Sequence, residues 1–71
     1  MDNPTTMIHV RFAPNGTVTE IGERPPALSP QQWFNLLTQE AGQHYQPLSG
    51  GRGLFRVQPE ALVALKQRSI H

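Results

Sequence analysis

The four residues Ala13, Pro14, Asn15 and Gly16 constrain this chain more than any other feature. Proline fixes φ, and Asn-Gly supplies the residue types most tolerant of positive φ, so the chain must reverse there. Met7, Ile8, Val10 and Phe12 precede the reversal, with Ile8, Val10 and Phe12 on one face of a strand and Met7, His9 and Arg11 on the other. Residues 17–21 return as a second strand. Val18 and Ile21 have opposite parity, so both can face a core only across a bulge or an early strand end.

Pro25 and Pro26 make residues 22–27 an extended connector. A helix is then predicted from Pro30: Ser29 is its N-cap, Gln32 the capping-box partner, and Leu28 is placed to staple against Trp33. Trp33, Phe34, Leu36, Leu37 and Ala41 form its apolar stripe, Gln31, Asn35 and Gln39 face away, and Gly42 ends it. Residues 43–53 have the composition of a loop. Residues 54–58 read as a third strand with Phe55 and Val57 inward, and Pro59 opens a second helix with Leu62, Val63 and Leu65 on its buried side.

The expected fold is therefore α+β: a ββαβα order, a three-stranded antiparallel sheet of order 2-1-3, and two helices packed on one face. Residues 1–5 are expected to be a disordered tail and residues 6–71 one small domain. Leu, Ile, Val and Phe account for 17 of 71 residues, about 24%, above the roughly 20% below which disorder is the default. With no Cys, the core must hold without disulfides. No apolar run approaches a membrane span and the start lacks the basic and apolar segments of a secretory signal, so the expectation is a cytoplasmic protein with no membrane contact.

Catalysis is not expected. The absence of Cys removes thiol nucleophiles and zinc-thiolate sites. His9, His44 and His71 lack the spacing that places two ligands on one helix face, and no acidic pair is both rigid and close, so neither a metal nor a cofactor is expected.

Two features point to binding instead. The loop Gly50, Gly51, Arg52, Gly53 frees the backbone to aim N–H groups at an anion beside a guanidinium, although it lacks the Gly-Lys-Ser/Thr ending of a phosphate loop and leads into a strand. The sheet face turned from the helices should carry Met7, His9, Arg11, Arg52, Leu54 and Arg56, a mixed basic and apolar surface that Tyr45 joins if it reaches over from its loop. Residues 1–42 carry a net charge of −2 and residues 43–71 a net charge of +3, so the basic character is concentrated in the second half.

Strands two and three of such a sheet leave exposed edges without an interior proline or lysine, which permits strand addition by a second copy or a partner's peptide. The sequence thus leads to a small accessory protein of bacterial type that binds a protein partner through an open sheet face or edge. The alternative is a weak nucleic-acid-binding module using Arg11, Arg52, Arg56, Lys66 and Arg68.

Overall fold

The computed structural model describes residues 5–69. Expectations for the tail residues 1–4 and for Ile70 and His71 lie outside the described residues. The elements are β1 (Thr6–Phe12), β2 (Val18–Ile21), α1 (Pro30–Ala41), a short 3-10 turn (Gly42–His44), β3 (Tyr45–Leu48), β4 (Arg52–Val57) and α2 (Pro59–Ser69).

The first reversal forms as its residues dictate. Gly16 takes φ 91°, the Gly16 N–H donates to the Ala13 carbonyl (2.8 Å), and Asn15 Oδ1 accepts from the Thr17 N–H (3.1 Å). The parity conflict in β2 is resolved by a bulge. Arg11 pairs with Glu20 but Phe12 with Val18, so Thr19 is skipped, and both Val18 and Ile21 turn towards the core.

α1 begins at Pro30 with the full capping box: the Gln32 N–H donates to Ser29 Oγ (3.1 Å) and the Ser29 N–H to Gln32 Oε1 (2.9 Å). Trp33 and Leu37 are fully buried, and the Trp33 indole N–H donates to the Gly22 carbonyl (3.0 Å), tying the helix to the end of β2. Gly42 follows the helix, but with a right-handed φ of −60°, so the chain tightens into the 3-10 turn instead of reversing through a left-handed stop.

The sheet corrects the expected architecture. It has four antiparallel strands in the order β2-β1-β4-β3, because residues 45–48, inside the stretch assigned to a loop, form an edge strand. The strand expected third is therefore β4. It lies in the interior of the sheet, paired to β1 on one side and β3 on the other. Ile8, Val10, Phe55 and Val57 on one sheet face share a core with Trp33, Leu37 and Ala41 of α1 and Leu62 and Leu65 of α2. Both helices thus cover the same face. Val63, expected in that core, is 54% exposed: at about 100° per residue it is turned well away from both Leu62 and Leu65.

The edges also differ from expectation. Edge strand β3 carries Pro47 at its third position, which brings no N–H to a neighbouring chain. At the other edge the Val18 N–H donates to Gln31 Oε1 of α1 (3.0 Å), so Gln31 does not face away. Each edge thus differs from a bare strand at one position, Pro47 in β3 and Val18 in β2, while β2 keeps no interior proline or lysine.

Candidate functional site: the open sheet face

Strand alternation and register assemble the uncovered face. Across β1 and β4, Met7 stands opposite Arg56, His9 opposite Leu54 and Arg11 opposite Arg52. β2 adds Glu20 beside Arg11, and β3 adds Gln46 beside Leu54 and Leu48 beside Arg52. Four of the residues singled out from the sequence, Arg11, Arg52, Leu54 and Arg56, therefore meet on one surface.

Leu54 is only 6% exposed although no helix covers it, and it stands apart from the helix-side core. Its neighbours on the face by register are His9 and Gln46 across the strands and Arg52 and Arg56 two positions along, and long arginine side chains so placed can cover an apolar neighbour with their stems while their charged heads reach water. The Arg56 guanidinium donates to Gln46 Oε1 (2.8 Å), which orients it over β3. Met7, at the end of this row, is 56% exposed.

Tyr45 does not join them. It pairs with Phe55 and faces the helices, where its ring lies 4.9 Å from that of Phe55 and 5.9 Å from that of Phe34, centroid to centroid. Phe34 also meets Phe12 edge-on at 5.4 Å and Phe55 at 5.6 Å. With Trp33 in the core, all five Phe, Tyr and Trp side chains of the chain lie on the helix side, and the open face has only the His9 imidazole.

The glycine-rich segment divides between two roles. Gly50 and Gly51 take φ of 77° and 70° and reverse the chain between β3 and β4. The Phe12 N–H donates to the Gly51 carbonyl (2.8 Å), pinning this turn to the end of β1. Arg52 and Gly53 belong to β4. Gly53 is buried beneath the Tyr45 ring: a Cβ there would lie 2.6 Å from Tyr45 Cε1 and 2.7 Å from Cζ, so the missing side chain is a packing requirement. Only Gly50, Gly51 and Arg52 of the four face solvent together.

Between this turn and the β1–β2 hairpin lies an open, mostly polar groove of about 560 Å³, lined by Arg11, Phe12, Thr19, Glu20, Gly50, Gly51 and Arg52. Arg52 Nε donates to the Ser49 carbonyl (3.2 Å), which folds its stem over the turn. Among the described residues neither Arg11, Arg52 nor Glu20 is in an ion pair.

No family model, curated protein or solved structure matches this chain. The reading of the site rests on its own geometry.

Lys66 and Arg68, the two cations of α2, are turned to other work. Lys66 pairs with Glu23 (2.6 Å) and Arg68 with Glu40 (2.9 Å), on the helix side of the molecule. Glu23 holds its place with φ 61°, unusual for a side-chain-bearing residue. Next to it a recess of about 360 Å³ opens between Arg24, Pro25, Pro26 and the end of α2. Sequence reasoning missed this recess: Pro25 and Pro26 mark a connector, but its meeting with α2 is a tertiary event. Among the described residues, no group of His, Asp and Glu is arranged to hold a metal ion, and no helix is long and apolar enough to cross a membrane.

Proposed function

We propose that this protein is a non-catalytic interaction module that docks a protein partner face-on against its open sheet. The observation that carries the reading is a sheet with both helices on one side and, on the other, a face that presents Arg11, Arg52 and Arg56 with the exposed apolar side chain of Met7 at its end. Pro47 in β3 and the engaged Val18 N–H in β2 each remove a donor from an edge strand, which favours contact through side chains on that face over strand addition by a partner or a second copy.

The face supports protein over nucleic acid. Single-stranded nucleic acid is held by aromatic stacking combined with charge, and every Phe, Tyr and Trp ring here lies on the helix side, leaving the His9 imidazole as the one ring on the face. Of the five cations that a phosphate-binding mode would recruit, Lys66 and Arg68 lie away from the face and are engaged by carboxylates.

Met7 and Val63, both exposed large apolar residues, provide matched probes: Met7 lies on the open face, and Val63 on α2. Proteins captured by the wild type from extracts of its source are identified, and each is purified and titrated directly against three forms of the protein. A partner that binds the wild type and Val63→Glu but not Met7→Glu supports docking on the sheet face. Equal binding by all three forms, or salt-sensitive retention of nucleic acid alone, overturns it.

A further inference from the structure

Arg11 and Arg52 face each other directly across β1 and β4, and like charges placed directly opposite destabilise a sheet. A neutralising carboxylate is close at hand, since Glu20 is the cross-strand neighbour of Arg11, yet it forms no ion pair with either guanidinium among the described residues. The turn at Gly50 and Gly51 is pinned against the end of β1 and walls the groove without adding a side chain. An unneutralised arginine pair therefore opens into a polar groove.

We propose that this groove is an anchor for a carboxylate, the side chain of an aspartate or glutamate in an acidic segment of the docked protein. The charge of the groove selects that occupant. Arg11 and Arg52 with Glu20 sum to +1, which matches a monoanionic carboxylate, whereas a phosphate dianion would meet the repulsion of Glu20 without full compensation. Thr19, at the bulge, adds a hydroxyl to the same wall, though it is held by the Arg11 carbonyl (3.2 Å). Planar guanidinium groups suit this partner, because each can present two parallel N–H donors to the two carboxylate oxygens.

The proposal rests on the docking reading and names the chemistry of its partner. It is tested by NMR on isotope-labelled full-length protein, following the arginine Nε–H groups and the amides of Gly50 and Gly51. The probes are a capped peptide with a single glutamate among glycines, inorganic phosphate and an oligothymidylate. Saturable shifts at Arg11, Arg52 and the turn are expected with the peptide, weakening as ionic strength rises from about 0.01 to about 0.15 M and the Debye length falls from about 30 to about 8 Å. Arg11→Gln and Arg52→Gln should each weaken peptide binding about two- to fivefold, as for solvent-exposed ion pairs, with the indole resonance of Trp33 confirming an intact core. Absence of shifts, unchanged binding by the double variant, or tighter binding of phosphate or oligothymidylate than of the peptide would each overturn the carboxylate assignment. Failure here is separable from failure of docking: a partner lost by Met7→Glu but kept by the double arginine variant leaves the docking face standing and removes only its anchor.

Discussion

Gly53→Ala is a one-carbon change whose cost the structure assigns to one neighbour. The added Cβ would sit 2.6 and 2.7 Å from two ring carbons of Tyr45, and the ring cannot simply swing aside because Phe55 and Phe34 pack against it. Overpacking of this kind costs about 1–3 kcal/mol. Tyr45→Ala removes the ring and two aromatic pairs worth about 0.5–1.5 kcal/mol each beyond buried area, for a total of about 2–3 kcal/mol at this half-buried site. Once the ring is gone, alanine at position 53 meets no clash and relieves the roughly 0.5–1 kcal/mol that glycine costs inside a strand. The double variant should therefore be as stable as Tyr45→Ala alone or slightly more so, giving a coupling of at least about 1 kcal/mol. Set against a total stability of about 4–11 kcal/mol for a chain of this length, the effect is easily resolved. Urea unfolding followed by the fluorescence of Trp33, which is fully buried, measures all four corners of the cycle. Costs that add to within about 0.5 kcal/mol would refute the claim that Tyr45 is what requires glycine at position 53.

Two further outcomes follow from local features. Ser29→Ala removes one arm of the α1 capping box and should cost about 1 kcal/mol, lowering Tm by roughly 4–8 °C in a calorimetric scan, while Asn35→Ala on the exposed side of the same helix should change little. Replacing Pro47 by Val and Gln31 by Ala together reopens both sheet edges, and sedimentation velocity should then show concentration-dependent association absent from the wild type; a variant that stays the same size would show that the edges are guarded by something else.

The sequence made the local devices legible and concealed those that depend on meeting across the chain. Asn15-Gly16, the bulge forced by Val18 and Ile21, and the Ser29–Gln32 cap all act within a few residues of themselves, so residue chemistry alone locates them. β3 was hidden because four residues containing Pro47 and followed by Ser49, Gly50 and Gly51 carry no strand pattern of their own. Its Tyr45 ring packs over Gly53 and against Phe34, residues far apart in the sequence. The same event moved Tyr45 off the candidate face. That Arg11, Arg52, Leu54 and Arg56 share one sheet face was legible because two-residue alternation needs only the strand and its parity. That Leu54 is buried there was not legible, since its neighbours on the face come from three strands.

The division of β1 and β4 between two faces has a consequence for how this small protein can change over time. Even-numbered positions of β1 face the helices, while Met7, His9 and Arg11 stand on the outer surface, apart from the helix-side core. A substitution at Met7, which is 56% exposed, would alter that surface while leaving the core under the helices untouched. If the proposed docking holds, recognition can drift, sharpen or be lost at such a position while the scaffold beneath stays as it was.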